Sequence, residues 1–234
     1  MTAVQGARAR ARIEITAAIK DEARRQLAAE GAAKLSLRAV ARELGMVSSA
    51  LYRYFPSRDD LLTALIIDAY DAVGAAAEQA HATTAATAPG DHLAHWTAVC
   101  RAVRAWAVDH PHEYALIYGS PVPGYTAPQD TIGPASRVGL LLVSIARTAY
   151  QDKGVAPPPL PKTLRPEAER LAADLAPDLP PTLATALVFA WAQLFGLISF
   201  EVFGQFNNVV EDRDAFFTTA AERLGREVGL LPKP

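Results

Sequence analysis

Apolar residues recur along this chain at three- and four-residue spacing, in stretches separated by short polar, glycine or proline punctuation. That period belongs to amphipathic helices rather than strands. Leu37, Val40, Ala41 and Leu44 form one such stripe, preceded by Ser36 and flanked by Arg38, Arg42 and Glu43 on the polar side. Gly45 then supplies a turn, and a second short helix follows. A helical wheel places Val47, Ala50, Leu51 and Tyr54 on its packed face and Ser48, Ser49, Tyr52 and Arg53 opposite. Two short helices joined by a glycine turn predict a helix-turn-helix. Pro56 stops the second helix, and Ser57 with Asp60 makes the capping signature of another running to about Gln79.

The same reading predicts helices over the rest of the chain. Residues 8–30 carry Ile15, Ile19, Ala23 and Leu27 at four-residue spacing and end at Gly31. Residues 82–90, ATTAATAPG, read as a loop. Asp91 to Asp109 is amphipathic, HEYALIYG is a short helix, and SPVPGYTAPQDTIGP is a loop. A helix from Ala135 to about Gln151 precedes DKGVAPPPLPKTLRPE, whose consecutive prolines exclude helix and mark a break. Arg213 to Gly229 forms the last helix, with Phe216, Phe217, Ala220, Ala221, Leu224 and Val228 on one side.

Residues 183–200, LATALVFAWAQLFGLISF, contain no charge and reach membrane-spanning length. Thr185, Gln193 and Ser199 interrupt the run, and no Lys or Arg flanks it between Arg170 and Arg213. The expectation is therefore a soluble core helix that also forms a subunit contact, not a membrane span.

The run AxELGMxxSALYRYFPSRDDLL resembles the DNA-binding domain of the TetR family of transcriptional regulators. Gly45, Leu51, Tyr52, Tyr54, Phe55, Arg58 and Leu61 carry the resemblance, which covers about residues 8–65, and the HPHEYALIYGSPVPGY segment is similar to one regulatory-domain subgroup. It implies an all-α chain: a three-helix helix-turn-helix DNA-binding domain at 8–56, then a larger helical ligand-binding and dimerisation domain at 57–231. It further implies phosphate contacts by Tyr52, Tyr54, Arg58 and Ser36. Ser48 and Ser49, short enough to let the backbone approach, and the long donor Arg53 suit the major groove; Arg38 completes the DNA-facing set. Where the family usually has a capping Ser or Thr stands Val47, so Ser48 either caps the helix or reads bases.

Charge agrees with this placement. Residues 1–60 hold 11 basic against 7 acidic side chains and the remainder 12 against 18, so a net charge of −2 conceals a basic N-terminal end. Arg8, Arg10 and Arg12 fit either a solvated terminus or a phosphate-binding arm. The lone Cys100 excludes an intramolecular disulfide and suits a buried position. With no apolar leader in the basic N-terminal stretch, the expected location is the cytoplasm.

The resemblance implies an apolar effector pocket, for which Trp96, Trp106, Tyr114, Tyr118, Trp191 and Phe195 are candidates, although for each taken singly plain core packing is the better explanation. His81, His92, His95, His110 and His112 match no metal-ligand or catalytic spacing and read as solvated, so neither metal, cofactor nor enzymatic activity is expected. The expected function is a ligand-responsive transcriptional regulator, a repressor released from a near-palindromic double-stranded operator by a small apolar or amphipathic effector. It would be homodimeric through helices at about 182–203 and 213–229. The alternative is a helical small-molecule binding protein or enzyme with a non-functional N-terminal domain.

Overall fold

A computed structural model describes residues 3–233. Among the described residues ten α-helices and a few single-turn 3₁₀ segments account for the fold, and one isolated antiparallel bridge between Val155 and Leu230 takes the place of any sheet. The helices are α1 (Ala3–Glu30), α2 (Leu37–Glu43), α3 (Ser48–Leu51), α4 (Arg58–Thr87), α5 (His92–Asp109), α6 (Pro111–Tyr118), α7 (Ile132–Gln151), α8 (Arg165–Leu175), α9 (Pro181–Val202) and α10 (Arg213–Val228). They divide into two compact units. One holds the chain up to Tyr70 with His110–Ile132, the other Asp71–Asp109 with the chain from Gly133 onward.

In the first unit the predicted stripes converge on one core. Ile19, Ala23 and Leu27 of α1 meet Leu37, Val40 and Ala41 of α2, Leu51 of α3, Phe55, and Leu61, Leu62 and Leu65 of α4. Lys20 and Arg24 both reach the Asp68 carboxylate at 2.8 Å, tying α1 to α4. The segment after His110 joins this core. Leu116, Val122 and Tyr125 pack against it, and the Tyr125 hydroxyl lies 2.9 Å from that of Thr63.

In the second unit α10 packs on α5 and α9, and α8 on α9. Trp96 is fully buried and its indole N–H donates to the Ala221 carbonyl at 3.1 Å. Gly225 makes that approach possible, since a Cβ there would stand 2.6 Å from Leu93 and 2.9 Å from Trp96. Arg104 of α5 forks onto Glu201 of α9 at 2.6 and 2.7 Å and reaches Asp214 of α10 at 2.5 Å. One guanidinium therefore staples three helices.

Three expectations are corrected. The loop expected at 82–90 is helical as far as Thr87: its alanines favour helix, and Thr83, Thr84 and Thr87 are accommodated by returning their hydroxyls to the carbonyls of Gln79, Ala80 and Thr83 one turn back. The break after Gln151 ends sooner than its prolines suggest. Pro166 sits in the first turn of α8, where a missing N–H costs nothing, and the helix buries Ala168 and Ala172. Finally, α1 starts at Ala3 instead of at residue 8, so Arg8, Arg10 and Arg12 lie inside the helix, beyond its first turn.

Helix α9, whose only charged side chain is Glu201 near its end, is long and apolar enough to cross a membrane, yet half of its most apolar window is buried within the protein. Leu183, Leu187, Leu194 and Ile198 face inward, while Phe189, Trp191 and Phe200 stay about half exposed.

Candidate nucleic-acid interface and apolar cavity

The turn between α2 and α3 is fixed by backbone alone. Gly45 takes φ 64°, its N–H bonds to Arg42, and the N–H of Met46 bonds to Ala41 at 2.8 Å, a left-handed stop that closes α2. Ser36 opens α2 by accepting from the Ala39 N–H at 3.4 Å, so its hydroxyl caps a helix. Leu51 is fully buried and anchors α3. Arg38, Val47, Ser48, Ser49, Tyr52 and Arg53 are exposed, which gathers five of the eight predicted DNA-facing side chains on the open surface of the motif.

The other three have structural partners. Tyr54 is half buried, with the Arg12 guanidinium 5.1 Å above its ring. Arg58 turns inward, donating to the carbonyls of Ala32 at 2.8 Å, Leu35 at 3.2 Å and Ala33 at 3.4 Å. Its pattern of donors fits the turn between α1 and α2, a role that no spacing rule signals.

Val47 differs from the helical-wheel expectation. It is 70% exposed, not packed, because it is the N-cap of α3 with extended backbone (φ −69°, ψ 136°) and so precedes the region where a wheel applies. Its side chain makes no capping bond, forgoing the roughly 0.5–2 kcal/mol that Ser, Thr, Asn or Asp would add there. Ser48 is the first helical residue rather than the cap.

The six aromatic candidates do not form one site. Tyr114 and Tyr118 belong to the first unit, their rings 5.1 Å apart, with Tyr70 edge-on to Tyr118 at 5.9 Å. Burial, with help from Tyr70 and Tyr114, raises the Tyr118 pKa. Trp96 and Trp106 are buried in the second unit. Trp191 and Phe195 are 5.7 Å apart on α9. Of the six, Trp191 lines a cavity of about 370 Å³ bounded by α7, α8 and α9. Leu140, Leu142, Leu171, Leu175 and Leu187 line it as well, with alanine, valine and glycine between them. The one hydroxyl among its lining side chains, that of Ser136, donates to the Gly133 carbonyl at 2.8 Å. The volume is that of a ligand pocket, and the walls suit an uncharged occupant. Composition could not single out this site, because leucines of a pocket and of a core look alike in sequence.

Arg137 stands on the same helix as the cavity wall. It grips the middle of α4, bonding Glu78 at 2.9 and 2.7 Å and the carboxylate of Asp71 at 2.8 Å. Glu78 is held below the usual carboxylate range by that bond.

The histidines also differ from the solvated reading. His92 and His95 are buried, His92 against Asp152 at 3.1 Å and His95 against the Ala88 carbonyl at 3.1 Å. His81 lies edge-on to His95 with ring centroids 4.9 Å apart. Among the described residues no group of three His, Cys, Asp or Glu side chains is arranged to hold a metal. Cys100 is buried, which raises its thiol pKa.

A helix-turn-helix with an open polar face in a basic N-terminal stretch, joined to a separate helical unit, is the arrangement of a DNA-binding transcriptional regulator. Comparison with known families matches residues 19–65 to bacterial regulatory proteins of the tetR family and residues 96–224 to the tetracyclin repressor-like C-terminal domain. An HTH-type transcriptional regulator of Mycobacterium tuberculosis is 44% identical over 204 residues, covering 86% of each chain. The chain belongs to the TetR family, whose members are regulators and not enzymes. The crystal structure of the regulatory protein SCO4313 superposes with a TM-score of 0.73 at 32% identity, covering 92% of this chain and 97% of that one. RolR, solved in complex with resorcinol, shares the fold at 16% identity and a TM-score of 0.51, covering 96% of this chain and 98% of that one.

Proposed function

We propose that this regulator is a cytoplasmic, homodimeric repressor that leaves a near-palindromic operator when a small apolar molecule binds its helical unit. The observation that carries the ligand response is the leucine-lined cavity between α7, α8 and α9, with Trp191 at its wall. A fold relative crystallised with resorcinol supports an uncharged ligand for this architecture. The exposed Ser48, Ser49, Tyr52 and Arg53 contact DNA, the serines and Arg53 at base edges and Tyr52 at phosphate. Two copies meet through α9 and α10, so that paired α3 helices enter successive major grooves about one turn apart. The ligand shifts the dimer by no more than its differential affinity for the DNA-bound and free conformations.

Footprinting of the DNA upstream of the protein's own gene tests this reading, with and without compounds co-purified with the protein and identified by mass spectrometry. The expected result is a two-fold symmetric footprint that a cavity ligand abolishes, and that persists with the same ligand in Leu187→Trp, whose cavity is filled. A footprint indifferent to every compound that quenches Trp191 would remove the ligand response from the proposal. Lack of any footprint, with no retention on DNA-cellulose, would remove the operator reading as well.

A further inference from the structure

We propose that Val47 reads a thymine in each operator half-site, through contact of its two methyls with the C5-methyl group in the major groove. The helix starts of this fold set the argument. Ser36 caps α2, Ser57 caps α4 by accepting from Asp60, Asp91 caps α5 and Asp212 caps α10. Helices α6, α8 and α9 instead carry proline in the first turn. Among the described residues α3 starts from a loop with neither device, and its cap position holds a β-branched aliphatic left 70% exposed. No packing within the first unit explains a valine there, since it is absent from the core that Leu51 and Met46 help to build.

Its surroundings say what it faces. Ser48 and Ser49 follow it directly, and Arg53 and Tyr52 lie further along the same open surface. The first residues of a recognition helix are those that approach base edges. The major groove offers donors and acceptors from every base pair but one prominent apolar group, the thymine methyl. An aliphatic side chain without donor or acceptor can gain there only from that methyl, and placed against a cytosine or guanine edge it would strip water from polar atoms without replacing it. Val47 thus separates thymine from cytosine, while Arg53 and the serines supply hydrogen bonds.

The experiment uses the full-length protein and sites selected from a randomised duplex library. Each thymine of the selected site is replaced in turn by deoxyuridine, which keeps the Watson–Crick edge and removes only the methyl. One thymine per half-site is expected at which the replacement weakens wild-type binding about fourfold, the equivalent of one buried methyl. The same replacement should leave Val47→Ala binding unchanged. Val47→Ser, which restores a cap, should raise the melting temperature, show the same indifference to the methyl, and retain the wild-type salt dependence because no phosphate contact is touched. Identical deoxyuridine profiles for wild type and both variants, or selected sites without a thymine common to the half-sites, would overturn the proposal. The unfolding curves of the variants keep a folding defect from being mistaken for either result.

Discussion

The guanidinium of Arg58 donates to the Ala32 carbonyl at 2.8 Å, fastening the start of α4 to the turn that joins α1 and α2. The Leu35 and Ala33 carbonyls are also served by this one side chain, and its removal leaves those two oxygens to water, while Ala32 keeps the backbone N–H of Leu35. Arg58→Ala should therefore lower the stability of the folded protein by about 1–3 kcal/mol, toward the lower end because the side chain is 29% exposed. Denaturant titration checks the loss. Salt dependence of DNA binding separates a positioning role from a phosphate contact: positioning weakens affinity without reducing the slope, whereas a lost phosphate contact lowers the slope by about one unit. Unchanged stability with a reduced slope would return Arg58 to the DNA surface.

His81 makes stability sensitive to mild acid. Its Nδ1 is buried without a partner, and its pKa is lowered from 6.5 by burial first and by His95 second. A folded pKa below the unfolded one means that the fold favours the neutral ring. That contribution is complete above the unfolded value near 6.5 and is lost as pH falls through it toward the folded pKa. His92, His95 and Asp152 are the other titratable groups of the cluster. Glu78 and Asp214, both held low by arginine, keep their pairing until more acidic conditions. Chemical denaturation between about pH 7.5 and about pH 5 should thus show a falling stability that His81→Leu flattens. A parallel pH profile for the variant would place the titration elsewhere.

Much of the fold was legible in the sequence because its signals are local. The stripe Leu37, Val40, Ala41, the glycine at 45 and the Ser57–Asp60 cap each dictate structure within one or two turns. What escaped reading depends on distant partners. The carbonyls that Arg58 serves lie more than twenty residues upstream, the packing of Leu116, Val122 and Tyr125 on the N-terminal core is set by tertiary contact, and α8 was masked by the prolines before it. Val47 failed for a different reason. A helical wheel assumes helical backbone, and the cap residue has none.

Arg137 couples the cavity wall to α4. It follows Ser136 and precedes Gly139 and Leu140, all three lining the cavity, and it holds Asp71 and Glu78. The pairs are partly exposed, so Arg137→Ala should cost only about 0–1 kcal/mol of global stability. Its local signature is larger: amide exchange over residues 71–87 should accelerate while α10 is unaffected. Gly74→Ala gives an independent check, because the added Cβ would stand 2.7 Å from the Arg137 Nε. Alanine in mid-helix otherwise adds about 1 kcal/mol. Faster exchange in α4 despite that gain would show the arginine being displaced, and slower exchange in both variants would mean the grip carries no coupling.

The groove between α9 and α10 carries the proposed dimer contact. Phe200, Phe206 and Phe216 form a chain of rings at 5.7 and 5.5 Å, of which Phe200 is 53% and Phe216 42% exposed. Gln193, Gly196, Thr219 and Ala220 provide a rim small enough for the helices of a second copy to approach. Because Phe200 already faces solvent in one chain, Phe200→Arg should leave the helical fold intact while placing two like charges near the two-fold axis. Light scattering after gel filtration should then report a monomer with wild-type helicity. Each half-site would bind alone, so affinity for a two-half-site operator should fall by about 10²–10⁴ while binding to an isolated half-site stays the same. A Phe200→Arg protein that remains dimeric and binds the full operator as the wild type does would move the subunit contact to another face, whereas loss of helicity would show that this ring supports the monomer itself.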